Sequence, residues 1–304
     1  MAVVRLEVTR REPVLGGAPF GAGGAYEKVE GVLHFAVDPS ARVHEPIADL
    51  GQAPRNARGL VESSADFSLL RPLGGSRRLL LDVPNRGRKI ALGMFNSAPR
   101  SNDPATRADF GNGFLMRHGY ALAWIGLQPD VPRRDGMMAL TVPRVPGVSE
   151  RLRCEFRPNT RVGVLPLADR YHIPHPVARL DDPEAELHVR EHAEAAAVPV
   201  PRGTWRFPDA SSVALDGGFE PGRIYECYYR AENPPVVGLG FTAVRDTAAF
   251  LRWASAREGN PCAGQIDRSY VFGVSQSGRF LRHLLYLGLD EDEAGRPAWD
   301  AVVP

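Results

Sequence analysis

Apolar and polar residues alternate along two stretches near the start of the chain, residues 3–8 and 29–37, and a glycine-rich stretch lies between them. A period of two places apolar side chains on one face of a strand and polar side chains on the other. Residues 1–60 are therefore predicted to form a β-rich N-terminal region whose strands have one solvated face.

The pattern changes to short, mostly apolar runs near residue 78. Residues 78–83 form such a run, which stops at the turn residues 84–87, and residues 120–127 form another. Compact apolar runs that end in turn residues are typical of buried strands in a parallel sheet. A helical stretch that ends at Gly119 lies between the two runs, so this part of the chain is predicted to be a βαβ unit.

A long segment rich in proline, arginine and short alternating stretches, residues 129–240, interrupts this rhythm. It is predicted to be an inserted β and loop region and a candidate lid, because a structureless segment of this length is improbable inside a compact domain. The α/β rhythm then resumes. Residues 61–128 and 241–304 are predicted to form one α/β core, and residues 1–304 a single domain.

The pentad at residues 273–277 lies between an apolar, strand-like run and an amphipathic, helix-like run. A sharp strand-to-helix turn lifts its central side chain clear of the sheet and requires small residues two positions before and after it. Gly273 and Ser277 meet that requirement around Ser275, whereas a turn centred on Ser277 would need Arg279 to be small. The pattern predicts Ser275 as a nucleophile, with a serine N-cap of an ordinary helix as the alternative.

Backbone N–H groups next to this serine would stabilise the negative charge of an acyl-transfer intermediate. Because Gln276 opens the helix, its N–H is one predicted oxyanion-hole donor. The loop after the 78–83 run is predicted to supply a second donor, from Arg86 or Gly87, and Asn85 is a candidate substrate-lining residue. A plain turn is the equally weighted alternative for this loop.

Gln128 and Asp130 follow the second apolar run at its carboxyl end. Open α/β sheets bind ligands at that edge, so both are further candidate substrate-lining residues. Hydrogen bonding within the loop is the favoured alternative for each.

Charge and composition exclude several classes of function. The chain of 304 residues carries 37 Lys and Arg against 36 Asp and Glu, a net charge of +1, whereas a nucleic-acid binder needs a basic excess or patch. No apolar run approaches the roughly 18–20 residues of a membrane span, and early charges argue against a signal peptide. A cytoplasmic protein that binds neither nucleic acid nor the membrane interior is predicted.

The cysteines are few and widely spaced, at Cys154, Cys227 and Cys262. Their number and spacing fit a reducing compartment and exclude a disulfide framework and a zinc cluster. No metal and no cofactor is predicted. The only lysines are Lys28 and Lys89, and we attribute the excess of arginine to a coding bias, since it extends over every segment.

Several segments resemble, in order along the chain, a bacterial family of proteins with an α/β-hydrolase domain. They are Asn85-Arg86-Gly87, residues 100–104, residues 111–116, residues 237–241 and the nucleophile segment at residues 273–282. The resemblance implies an α/β-hydrolase-type fold with a mostly parallel sheet and serine chemistry without a cofactor. It also implies a small-molecule carboxylic ester as substrate, cleaved through an acyl-enzyme on Ser275.

The acid and the histidine of an α/β-hydrolase triad follow the serine on later strands. The resemblance therefore predicts that the last strands are missing and that both triad partners lie beyond residue 304 of a longer parent protein. His283 does not replace them, because eight helical residues from Ser275 correspond to about 12 Å. A base must approach the nucleophile to within about 3 Å.

Other interpretations of the sequence remain as alternatives to a serine hydrolase. A catalytically incomplete hydrolase-like fragment or binding module would lack the acid and the histidine and would have an open apolar sheet edge. A dinucleotide-binding oxidoreductase is suggested by Gly238-Leu239-Gly240, but the rest of that fingerprint does not follow. His172 and His175 have a metal-binding spacing for a helix, but Pro174 disfavours a helix there, so a surface pair is favoured.

Overall fold

The computed structural model describes residues 2–304, which divide into two compact units. Unit 1 contains residues 2–143 and 236–304, and unit 2 contains Arg144–Pro235. Unit 2 lies within the segment 129–240 that the sequence pattern marks as an insertion.

Strands are the main regular structure of both units. In chain order they are β1 (Val3–Pro13), β2 (Tyr26–Val37), β3 (Val61–Pro72), β4 (Arg78–Asp82), β5 (Tyr120–Ile125), β6 (Leu140–Thr141), β7 (Ser149–Phe156), β8 (Val162–Pro166), β9 (Glu186–Arg190), β10 (Val198–Pro199), β11 (Trp205–Asp209), β12 (Ser212–Phe219), β13 (Ile224–Glu232), β14 (Arg268–Phe272) and β15 (Ala301–Val303). The α-helices of the described residues are α1 (Ala91–Asn96), α2 (Phe114–Arg117), α3 (Leu239–Trp253) and α4 (Gln276–Tyr286).

Unit 1 is built on one eight-stranded sheet in the order β1-β2-β3-β5-β4-β14-β15, with β6 paired to β3. The long strands β1, β2 and β3 pair antiparallel, and β3 also pairs antiparallel with β5. The short strands β5, β4, β14 and β15 pair parallel with one another. The sheet is therefore mixed, with its parallel strands together on one side.

The predicted fold class, an α/β-hydrolase-type layout with a mostly parallel sheet, is wrong. Strands account for 35% of the chain and helices for 19%, and several sheets are antiparallel. Local apolar patterns located β4, β5 and β14 as strands, but they do not determine the direction in which distant strands pair. The long alternating strands near the N-terminus join the same sheet antiparallel. The expectation of missing last strands depended on the parallel layout and falls with it.

Helix α3 packs against β1, β3 and β5, and almost all of its residues are buried. Two glycines at its start allow this close packing. A Cβ on Gly240 would lie 2.5 Å from the carbonyl oxygen of Leu127, and a Cβ on Gly238 would lie 2.8 Å from Cγ2 of Ile47. Packing thus accounts for the glycines on which the dinucleotide-binding alternative rested. None of the helices in residues 2–304 combines the length and apolar character needed to cross a bilayer.

Unit 2 contains two antiparallel sheets, ordered β10-β9-β13-β7 and β11-β12-β8. Alternate residues of β13, namely Tyr225, Cys227 and Tyr229, are buried in its core together with Trp205 and Phe219. Alternate residues of a strand point to the same face, so these three side chains of β13 lie on one face of the strand.

Candidate active site

The chain turns sharply at Ser275, between the end of β14 at Phe272 and the start of α4 at Gln276. Ser275 has φ 59° and ψ −111°, a backbone conformation that non-glycine residues rarely adopt. Its side chain is exposed, while Gly273 and Ser277 on either side of it are buried. The turn therefore presents one hydroxyl to solvent from a tightly packed corner.

Small residues on both sides of Ser275 allow the strand and the helix to meet. A Cβ on Gly273 would lie 2.8 Å from the backbone of Ser277, and a Cβ on Gly278 would lie 3.1 Å from the carbonyl oxygen of Gly273. The Ser277 hydroxyl is fully buried and donates to the carbonyl oxygen of Val274 at 3.0 Å. Ser277 therefore holds the turn together, and Ser275 carries the exposed hydroxyl.

The loop after β4 lies beside this turn. The N–H of Val83 donates to the carbonyl oxygen of Phe272 at 2.9 Å. The side-chain amide of Asn85 donates to the carbonyl oxygen of Val274 at 2.7 Å, across 189 positions in sequence. Because that oxygen belongs to the residue before Ser275, Asn85 links the loop directly to the candidate nucleophile turn.

The three predicted oxyanion donors differ in their surroundings. Gln276 is the first residue of α4, where an N–H has no acceptor within its own helix and the helix dipole favours negative charge. Arg86 and Gly87 both have positive φ, 51° and 78°. Gly87 is buried, and its carbonyl oxygen accepts from the N–H of Met138 at 2.9 Å, so its position in the loop is fixed by packing.

Gln128 and Asp130 contact each other. The Gln128 side-chain amide donates to the carboxylate of Asp130 at 3.3 Å, and the Gln128 backbone carbonyl accepts from the N–H of Leu140 at 2.9 Å. Within the described chain, no hydrogen bond joins either residue to the turn at Ser275. Both stay predictions as substrate-lining residues.

No histidine in residues 2–304 hydrogen-bonds to the Ser275 hydroxyl. His283 lies further along α4, where its ring stacks on Tyr286 at a centroid distance of 5.9 Å. His172 bonds to Asp169 at 2.8 Å in unit 2. Among the described residues, no group of three or more His, Cys, Asp or Glu is arranged to hold a metal ion.

Sequence reasoning missed Asp82, the last residue of β4, which lies opposite the last residue of β14, Phe272. Asp82 is fully buried, and its Oδ2 accepts from the N–H groups of Ile90 and Ala91 at 2.8 Å and from Trp124 Nε1 at 2.6 Å. Burial raises the pKa of Asp82 to about 6, above its ordinary value, against the opposing effect of these donors. The available signal was an acidic residue that ends an apolar run.

A buried lysine, Lys89, lies against the same face of the sheet as Asp82. Register places Glu30, Ser68, Trp124 and Asp82 opposite one another on adjacent strands, so their side chains share a face. Lys89 Nζ donates to Ser68 Oγ at 2.8 Å, lies 3.7 Å from Glu30 Oε1 and lies 4.9 Å from the centre of the Trp124 ring. Burial lowers the pKa of Lys89 to about 8.

Both lysines of the chain lie in this region. Lys28 is also buried, and its Nζ lies 2.5 Å from Oδ1 of Asp103. The rarity of lysine, which we attributed to coding bias, was therefore the available signal for this buried cluster.

Comparison with protein-family models, curated proteins and solved structures gives no match to the chain.

Proposed function

We propose that this chain is a serine hydrolase of esterase type, in which Ser275 attacks a carboxylic ester. The observation that carries the proposal is the strained corner at Ser275, with its exposed side chain and a helix that begins at the next residue. Strained backbone of this kind occurs mostly at functional sites, where the surrounding structure holds it in place. The resemblance of residues 273–282 to a hydrolase nucleophile segment supports the same chemistry.

In the proposed reaction, Ser275 Oγ bonds to the ester carbonyl carbon and negative charge develops on the former carbonyl oxygen. The N–H of Gln276 and the dipole of α4 would stabilise that charge. The loop tied to the turn by Asn85 is the proposed source of a second donor, from Arg86 or Gly87. Collapse of the intermediate releases the alcohol, and water then hydrolyses the acyl-enzyme.

The Ser275 proton must pass through a base to the departing alcohol. Because no histidine of residues 2–304 hydrogen-bonds to Ser275, the proposal assigns the nucleophile and the oxyanion donors but no base. An oxyanion hole without a complete triad still accelerates acyl transfer by roughly 10³–10⁴-fold over water. We therefore expect slow turnover of activated esters by the 304-residue chain.

The test is hydrolysis of 4-nitrophenyl acetate by the purified chain and by two serine variants. Ser275→Ala removes the nucleophile and is expected to abolish the acetyl-enzyme that mass spectrometry should detect on Ser275 of the wild type, while it keeps the part of the rate that the oxyanion donors support by themselves. Ser97→Ala is the matched control, because Ser97 is also an exposed serine with positive φ, 54°, but lies at the end of a helix. A wild-type chain whose Ser275 carries no acetyl group after turnover of the ester would refute the proposal.

A catalytically incomplete binding module is the second candidate, and the lack of a histidine at Ser275 favours it. Such a module would bind an ester analogue with the same affinity in the wild type and in Ser275→Ala, and it would give no turnover. An acetyl-enzyme on Ser275 that is absent from Ser275→Ala would exclude this alternative.

We also propose a cytoplasmic location and a small-molecule substrate. The free thiols of Cys154, Cys227 and Cys262 support the location, since cytoplasmic proteins keep their cysteines reduced. Recovery of the native protein in the cytoplasmic fraction of its source cells tests the location.

A further inference from the structure

Two of the three cysteines face each other across neighbouring strands of unit 2. Cys154 on β7 is the direct register partner of Cys227 on β13. The ladder between these strands is regular from Tyr225 opposite Phe156 to Glu232 opposite Ser149. The sequence positions gave no sign of this pairing, because 73 positions separate the two cysteines.

The geometry of an antiparallel ladder brings such a pair within bonding range. Directly opposite residues have Cα atoms about 4.5–5.5 Å apart and Cβ atoms about 4.5–5.5 Å apart on the same face. A disulfide requires Cα atoms about 4.4–6.8 Å apart and Cβ atoms about 3.5–4.5 Å apart. A small approach of the two side chains therefore suffices, without a change of register.

The two thiols differ in accessibility. Cys227 is fully buried in the core of unit 2, whereas Cys154 is only partly buried, on the edge strand of its sheet. The Cys154 thiol donates to the carbonyl oxygen of Leu167 at 3.0 Å and lies 3.8 Å from the hydroxyl of Tyr229. A reagent from solution thus reaches Cys154 first, and Cys227 is the nearby resolving thiol.

We propose that Cys154 and Cys227 form a reversible modification site, a dithiol that a small-molecule disulfide converts to an intramolecular disulfide. The Cys154 thiolate attacks one sulfur of the reagent, forms a mixed disulfide and releases one thiolate. The Cys227 thiolate then attacks the Cys154 sulfur, forms the Cys154–Cys227 bond and releases the second thiolate. Overall, two protein thiols are oxidised while one small-molecule disulfide is reduced to two thiols.

The surroundings of the pair set its rate. Burial raises the pKa of both thiols, and that of Cys227 reaches about 12. Nearby groups act in both directions: the charge of Cys154 raises the pKa of Cys227 and the charge of Arg202 lowers it, while the Tyr229 hydroxyl lowers the pKa of Cys154. Because the thiolate is the attacking species, oxidation is expected to be slow at neutral pH and to accelerate about tenfold per pH unit below these pKa values.

The experiment uses the full chain incubated with oxidised glutathione at pH 7, 8 and 9. The chain is then denatured, its free thiols are alkylated with a maleimide–polyethylene glycol, and the adducts are counted on a gel. The reduced chain is expected to show three alkylated thiols and the oxidised chain one, on Cys262. Peptide mapping should show one cross-link between Cys154 and Cys227, which dithiothreitol reverses.

Single variants separate this pair from other thiol chemistry. After oxidation, Cys262→Ser is expected to have no free thiol left for alkylation. Cys227→Ser is expected to stop at the mixed disulfide on Cys154, and Cys154→Ser to leave Cys227 largely unmodified. A native chain that keeps three free thiols at pH 9, a cross-link that includes Cys262, or cross-links only between chains would overturn the proposal.

Discussion

Replacement of Ser275 by glycine should stabilise the protein while it removes the candidate nucleophile. Ser275 has φ 59° and ψ −111°, a conformation that is disfavoured for any residue with a Cβ and readily adopted by glycine. Ser275→Ala is the proper reference, because alanine also lacks the hydroxyl but keeps the Cβ. The difference between the two variants therefore isolates the backbone strain.

The size of the effect follows from two opposing contributions. Strain of this kind is of order 1–3 kcal/mol, and the added freedom of glycine in the unfolded chain costs about 0.5–1 kcal/mol. We expect Ser275→Gly to be more stable than Ser275→Ala by about 1–2 kcal/mol. The same pair of substitutions at Ser97, which has φ 54° and ψ 33°, calibrates the gain at an ordinary left-handed position.

The assay is equilibrium unfolding in urea, followed by tryptophan fluorescence. Three of the four tryptophans, Trp124, Trp253 and Trp299, belong to the same unit as Ser275, so the signal reports mainly on unit 1. A Ser275→Gly variant no more stable than Ser275→Ala, in a protein where Ser97 shows the expected gain, would refute the claim that the corner is strained.

Three further predictions concern buried groups of unit 1. The folded state raises the pKa of Asp82 to about 6, so it binds a proton that the unfolded chain has lost; stability should fall by about 2 kcal/mol from pH 4 to 6, and not in Asp82→Asn. The pKa of Lys89 is lowered to about 8, so stability should rise by about 3 kcal/mol from pH 8 to 10.5, and not in Lys89→Met. Urea unfolding over pH tests both, and wild-type curves identical to those of the variants would contradict them. A Cβ on Gly273 would meet the Ser277 backbone at 2.8 Å, so Gly273→Ala should cost about 1–3 kcal/mol in the same assay, and an unchanged midpoint would disprove the close contact.

Local patterns were sufficient to predict the elements around Ser275. The apolar runs at 78–83 and 120–127 contain β4 and β5, and the strand–turn–helix order around residue 275 matches β14 and α4. These patterns report on burial and on short-range geometry, which a few neighbouring residues determine.

The fold class and the surroundings of the turn depended on contacts between distant residues. Three of these contacts join positions far apart in sequence. They are the antiparallel pairing of β1–β3 within the sheet, the hydrogen bond from Asn85 to Val274, and the pairing of Cys154 with Cys227. Such contacts set the direction and the register of strand pairing. Because the βαβ pattern was extended from residues 78–127 to the whole sheet, it predicted a mostly parallel sheet, which is wrong. The buried Asp82 and Lys89 were missed because burial of a charged group depends on the same long-range packing.

The most direct test of the central claim is to identify which residue a fluorophosphonate modifies. The 304-residue chain is incubated with the reagent, digested and analysed by mass spectrometry, with Ser97→Ala and Ser275→Ala treated in parallel. The account predicts one phosphonylated site, Ser275, in the wild type and in Ser97→Ala, and no adduct in Ser275→Ala. An adduct on another serine, or an unmodified Ser275 while a reference serine hydrolase in the same tube is fully labelled, would contradict it.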